Sequence, residues 1–307
     1  MSAAHRRTAA VVAAWFGRRP IDVHAHLTWG ATTVVEMVVS DGLTVFAKAS
    51  SEQNVHIEAA AIAHARQAGL PAPEVLGLGA DADLPGQKWM ATRAVPGVNL
   101  EQIGLRAVTT ERTLTELADM YAALHDVNLP GFGPLADDGQ HGTLPAWSWW
   151  QSNELERALD RLQRTGGVPA DLIDRARAAS AAMAAALDAQ PAALLHADLG
   201  DSETFVDPDT GSITGIVDWG SALVGDPLYD LARFVSGGPA GDPRPALALP
   251  TLHARYLAQS RMDRDLARTL LRFYRLHICI DEAAWGEDLG WTPGLVSWAQ
   301  HLALTFS

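Results

Sequence analysis

At 307 residues the chain is long enough for one large domain or two lobes, and an apolar share of 48% is ordinary for a globular protein. A formal charge of -13 runs against the basic surface that a phosphate-backbone binder needs, so nucleic acid is not an expected partner; it fits a cationic small molecule or simply an acidic enzyme. The single cysteine, Cys279, rules out a disulfide framework within the chain and a thiolate zinc site, and no apolar run reaches the length of a bilayer span, so no membrane partner is expected.

The first stretch, HRRTAAVVAAWFGRRP, sets paired arginines before a short apolar run. It ends in Arg18-Arg19 rather than a small-residue cleavage site, so it reads as an amphipathic helix, and the expected location is the cytoplasm. Two strand-like runs follow, Val34–Val39 and Leu43–Ala47, joined by Ser40-Asp41-Gly42. Asp-Gly between apolar runs is a hairpin signal. The loop before them, residues 28–33, carries one glycine, Gly30, and hydroxyls such as Thr32, which suit an anion. Lys48 closes the second run, and Glu58 stands ten residues on in the helical stretch EAAAIAHAR. Lys48 and Lys88 are the only lysines among many arginines. By themselves Lys48 and Glu58 read equally as a strand-end lysine beside an unrelated helix acid or as the pair with which kinase folds aim a compact ammonium at nucleotide phosphates, a task that the wide arginine fork does not copy. Lys88, in a Pro-Gly-Gln loop, reads as solvated.

Gly69-Leu70-Pro71-Ala72-Pro73 stops that helix, and further strand-like runs lie near Val75–Leu78 and Trp89–Thr92. Arg93-Ala94-Val95-Pro96-Gly97 reads as a linker. Beyond residue 100 the pattern turns helical, with Leu114, Leu117, Tyr121 and Leu124 on one face and His125 closing the helix. Ser148 and Gln151 suggest a capping box before Leu155, Leu159 and Leu162, with the Trp147 group as core, and an alanine-rich helix spans residues 171–189. Late in the chain, Asp281 and Glu282 interrupt the apolar run 276–280 near Trp285. They read equally as a solvated face or as acids and a ring that hold an amine-bearing or sugar acceptor.

The densest signal is LLHADLGDSETFVD, residues 194–207, followed by a turn and then Ile-Val-Asp-Trp-Gly ending at 220. It gathers Asp198, Glu203 and Asp218 at the ends of short strands, and carboxylates so gathered suit magnesium and phosphate. Gly225-Asp226-Pro227 then starts a helix, with Asp226 as N-cap, Pro227 as first residue and Asp230 a turn further on.

His-x-Asp, a polar residue five after the Asp, Ile-Val-Asp-Trp-Gly and Gly-Asp-Pro-x-x-Asp-Leu-Ala, with Lys48 and Glu58 upstream, together resemble the aminoglycoside phosphotransferase family. The resemblance implies an α+β, bilobal protein-kinase-like fold. Residues 1–93 would form a small N-terminal nucleotide-binding lobe with an antiparallel sheet, 94–100 the linker, and 101–307 a larger, mainly helical catalytic lobe. It further implies a magnesium-dependent O-phosphotransferase that moves the γ-phosphate of ATP or GTP to a hydroxyl of an antibiotic, nucleoside antibiotics included, and so confers resistance. Asp198 would be the base. Lys48, Glu58, Gly30, Thr32 and the backbone at Arg93 and Val95 would hold the nucleotide. Asp218 and Glu203 would hold Mg2+, and Asp201, Asp281, Glu282 and Trp285 would face a cationic or sugar-containing acceptor. Glu203 stands where the family usually has Asn: it offers a charged oxygen and no N–H donor when ionised. Two alternatives stay open, a metabolic kinase of a choline- or sugar-like substrate and a nucleotide-binding module with weak transfer activity. A monomer or a homodimer is expected.

Overall fold

The computed structural model describes residues 1–26, 31–103, 107–165, 170–234, 244–260 and 262–288, without side-chain detail at 107–110, 165, 244–249, 282 and 285–288. The first elements are α1 (Ala3–Phe16), β1 (Pro20–Ala25), β2 (Thr32–Val39), β3 (Thr44–Ser50), α2 (Val55–Gln67), β4 (Val75–Ala80), β5 (Lys88–Arg93), β6 (Val98–Asn99), α3 (Leu100–Ile103) and α4 (Ala107–His125). Then come β7 (Phe132–Leu135), β8 (Gly142–Leu144), α5 (Trp147–Thr165), α6 (Ala170–Asp188), β9 (Ala193–Leu195), β10 (Thr204–Val206) and β11 (Ile213–Ile216). The last are β12 (Leu223–Gly225), α7 (Pro227–Arg233), α8 (Arg244–Gln259) and α9 (Arg264–Asp288). They form two units, one made of Met1–Leu124, Ala136–Gln140 and Asp201–Ala222 and the other of His125–Leu135, His141–Gly200 and Leu223–Ser307.

In the first unit β2 alternates strictly between half-buried and buried residues, the mark of a strand with one face on a core. At its end Gly42 takes φ 81°, which a two-strand turn needs and other residues resist, and β3 returns antiparallel with Val38 opposite Thr44. A five-stranded sheet results, ordered β1-β2-β3-β5-β4. Val35, Met37, Val45, Ala47, Trp89 and Ala91 bury one face against Ala9 and Val12 of α1. Each fully buried valine or methionine there contributes about 1.5–3 kcal/mol, each alanine less. The first strand, β1, has no apolar alternation to announce it, and most of its residues are exposed. The hairpin β10–β11 joins this unit through β6, where Phe205 pairs with Asn99 and Val206 with Val98. Thr113 and Glu116 of α4 fasten it further, donating to the Gly211 carbonyl at 2.8 Å and accepting from the Ile213 N–H at 2.7 Å. With that pairing, residues 201–222 belong to the first unit.

In the second unit a small sheet, ordered β8-β7-β12-β9, lies among helices. Leu155, Leu159 and Leu162 of α5, Ile173 and Ala176 of α6 and Leu276, Cys279 and Ile280 of α9 share one buried cluster. Trp147 is fully buried and stacked on Trp150 at 4.7 Å, whereas Trp149 is exposed. The start of α5 is not a capping box: Asp188, at the end of α6, accepts the Ser148 N–H at 2.8 Å and its hydroxyl at 2.9 Å. Gly225 ends β12 where any Cβ would lie 2.5 Å from the Trp147 ring, so only glycine lets the strand pass.

Candidate active site

Lys48 sits on the central strand β3, opposite Val34 on one side and Met90 on the other. Asn54 caps α2 by accepting the His56 N–H, and Glu58 lies within the first turns of that helix. The two side chains meet at 2.9 Å, both nearly buried. The Lys48 ammonium also donates to Asp218 Oδ1 at 2.8 Å. Burial works against the ammonium charge, but Glu58 and Asp218 outweigh it and push the Lys48 pKa up to about 12. For Glu58 burial prevails and raises the carboxyl, with Lys48 opposing. Lys48 therefore stays a fixed cation at neutral pH.

Asp218 follows β11 in a left-handed conformation, φ 59° and ψ 62°, which Asp tolerates better than most residues. Trp219 anchors the turn, fully buried, with its indole N–H on the Ile216 carbonyl at 3.0 Å. Asp218 itself stays 58% exposed, with Lys48 on its Oδ1. Glu203 leads into β10 across from it: the Val217 N–H donates to the Glu203 carbonyl at 3.0 Å, and the Ser202 hydroxyl donates to Glu203 Oε1 at 2.6 Å. Among the described residues no three His, Cys, Asp or Glu side chains converge as a metal cage. Magnesium takes one or two carboxylates and completes its shell with phosphate oxygens and water. Asp218 and Glu203 are all-oxygen donors of the right hardness.

The other expected nucleotide residues are placed less directly. Thr32 Oγ1 lies 2.8 Å from Ser50 Oγ, tying the ends of β2 and β3. The Arg93 guanidinium turns to Glu74 at 2.7 Å, and Val95 packs over the backbone of Gly215. Asp201 gives its carbonyl to the Glu101 N–H at 3.2 Å. Gly30 and the side chains of Glu282 and Trp285 lie outside the described residues.

In the second unit β9 delivers His196, Ala197 and Asp198. Ala197 adopts φ 62°, costly for a residue with a Cβ, and the surroundings enforce it. The buried Asp230 accepts the Ala197 N–H at 2.7 Å and the His196 N–H at 2.9 Å. His125 Nε2 lies 3.3 Å from Asp230, and its Nδ1 lies 2.9 Å from the Tyr256 hydroxyl. An Nε2–H tautomer satisfies both contacts. His196 is fully buried and its Nδ1 accepts the Asp198 N–H at 3.3 Å, a structural role. The loop backbone is thus bolted while the Asp198 side chain remains 47% exposed.

Sequence reasoning passed over Arg233 at the end of α7. Its Nη2 and Nε donate to Asp198 Oδ1 at 2.8 and 3.2 Å, and its Nη1 approaches Asp281 at 3.8 Å. Burial works against the Arg233 charge, but Tyr229, Asp198 and Asp281 outweigh it and hold its pKa above the usual guanidinium value. Asp281 of α9 therefore faces the same cluster as Asp198. Glu154 of α5 belongs nearby: burial raises its carboxyl and the charge of Asp281 adds to the effect, with Arg157 opposing.

A strand lysine fixed by a helix glutamate and bonded to an aspartate after a tryptophan-anchored turn is an arrangement met in phosphoryl-transfer proteins. A model of the phosphotransferase enzyme family matches residues 27–272, and the chain belongs to that family. Hygromycin-B 4-O-kinase from Escherichia coli is 28% identical over 250 residues, covering 75% of this chain but 66% of that relative, just under two thirds of its length. A thermostable mutant of aminoglycoside phosphotransferase APH(4)-Ia, in ternary complex with ADP and hygromycin B, superposes with a TM-score of 0.70 at 21% identity, covering 96% of this chain and 95% of that one. A fructosamine-3-kinase homologue from Thermobifida fusca superposes with a TM-score of 0.69 at 18% identity, over 97% of each chain. The fold is that of the aminoglycoside phosphotransferases.

Proposed function

We propose that this chain transfers the γ-phosphoryl group of ATP or GTP to a hydroxyl of an aminoglycoside-type antibiotic, with hygromycin B the first acceptor to test. The observation that carries this reading is the Lys48–Glu58–Asp218 cluster, a buried ammonium held between a buried carboxylate and an exposed one. Lys48 binds the phosphate oxygens, and Glu58 keeps its ammonium aimed. Asp218, with Glu203, would hold magnesium, which when bound neutralises phosphate charge as a Lewis acid. Asp198 takes the proton of the acceptor hydroxyl. The acceptor oxygen bonds to the γ-phosphorus, the bond from that phosphorus to the β–γ bridging oxygen breaks, and a nucleoside diphosphate leaves. A carboxylate is basic enough because the transition state is loose and the proton leaves late.

The test is a phosphorylation screen with ATP and GTP separately against hygromycin B, other aminoglycosides, nucleoside antibiotics and amino alcohols, with Asp198→Ala as the blank. Transfer to an antibiotic, with higher resistance in a susceptible host that expresses the chain, supports the reading. Transfer to an amino alcohol or a sugar amine alone would favour the metabolic-kinase alternative. The Glu203 substitution favours the remaining alternative, and nucleotide binding without turnover on any acceptor would select it.

A further inference from the structure

The pairing of Asp198 with Arg233 is a poor source of stability. Both side chains are partly exposed, 47% and 27%, and pairs open to water add little to stability. Its geometry is more informative. Both guanidinium nitrogens that reach Asp198 bond to the same oxygen, Oδ1. Among the described residues Oδ2 receives no hydrogen bond. A half-exposed carboxylate rotates and presents either oxygen; a planar fork on one oxygen ends that equivalence. The third guanidinium nitrogen leans on Asp281, so Arg233 is itself anchored from α9. Helix α7 thereby supplies two fixings of one group: Asp230 holds the loop backbone, and Arg233, three residues on and on the same helix face, holds the carboxylate.

We infer that Arg233 is a positioning residue for the base, tying Oδ1 of Asp198 so that Oδ2 alone takes the acceptor proton. This rests on the reading of Asp198 as base. In the step concerned the acceptor O–H proton moves to Oδ2 as the oxygen bonds to the γ-phosphorus and the nucleoside diphosphate departs. Arg233 neither gives nor takes a proton.

The experiment measures turnover of magnesium-ATP with hygromycin B as acceptor, and with water alone, which is always present. Arg233→Ala should lower kcat about 10–100-fold, the cost of misplacing a reacting group by an ångström or less, while the KM for ATP stays unchanged. Millimolar guanidinium chloride should restore part of the lost rate. Arg233→Lys keeps the charge but offers one nitrogen for two, and its kcat should also fall. If Arg233→Ala does not fold, the lysine variant decides. A wild-type kcat in either folded variant, or a loss confined to KM, overturns the inference. Asp198→Asn, run in parallel, separates the two claims. If it turns over normally, the base assignment fails and the inference with it. If it is inactive while the Arg233 variants run at wild-type kcat, the base stands and Arg233 has no part.

Discussion

Glu58→Gln removes one negative charge from the Lys48 cluster and little else, because glutamine keeps the shape and an acceptor oxygen. At the observed 2.9 Å the pair attracts by roughly 6 kcal/mol at an effective dielectric of about 20. Most of that offsets the burial of Glu58, which is only 4% exposed and whose carboxyl burial already raises. Asp218 remains at 2.8 Å to partner the ammonium. The net loss of stability should therefore be about 1–3 kcal/mol, below the 3–5 typical of breaking a buried pair that has no second partner. Function should change more than stability, since Lys48 would swing towards Asp218, raising the KM for nucleotide and lowering kcat. The pH profile supplies the sign. Lys48 has its pKa raised to about 12, so the stability and activity that need its charge are present below the ordinary lysine value and are lost only as pH rises through about 12. Without Glu58 that pKa comes down, and the alkaline loss should begin at lower pH. Thermal melts and pH–rate curves of the two proteins test this. Superimposable alkaline limbs with an unchanged nucleotide KM would refute the reasoning.

Three further outcomes are expected. Asp230→Asn turns an amide donor towards one of two backbone N–H groups, each costing about 1–3 kcal/mol if left unsatisfied, so kcat should fall at least tenfold while nucleotide affinity, read by titration, is unchanged. Asp226 is fully buried, and burial raises its pKa to about 6 against the Tyr274 and Leu228 hydrogen bonds that lower it. The folded state then holds its proton longer than the unfolded state, so this group costs stability as pH rises from about 4 to about 6, by about 3 kcal/mol in all. Asp226→Asn should gain that amount relative to wild type over the same window, and denaturant titrations that differ by a constant at every pH would contradict it. Glu203→Ala should raise several-fold the magnesium concentration for half-maximal turnover, and an identical magnesium curve would remove Glu203 from the metal site.

Much of the site could be read from short segments because its chemistry is local. Lys48 is set by an alternating strand, Glu58 by the helix that follows, and Asp218 by a strand that ends in a tryptophan anchor; the structure brings these three together. What escaped depends on distant partners. Asp188 caps α5 from 40 residues away, so the local Ser148–Gln151 pattern misled. The strand β1 lacks alternation because most of its residues face solvent. Arg233 lies in an unremarkable helix-end sequence, and its contact with Asp198 appears only when the fold brings the two alongside. Asp230 was visible as a second acid, but its grip on two amides was not, since backbone donors leave no mark in a sequence.

The scarcity of lysine turns the Lys48 cluster into a reporter. An amine-selective reagent meets two lysine side chains in this chain: Lys48, 10% exposed and held between carboxylates, and Lys88, half-buried with its ammonium on Asn54. Because the Lys48 pKa is raised to about 12, labelling calls for alkaline pH, where acylation of the peptide that carries Lys48 can be followed by mass spectrometry with Lys88 as the internal standard. Protection of that one amine by added nucleotide would give binding constants for ATP and GTP before any acceptor is known.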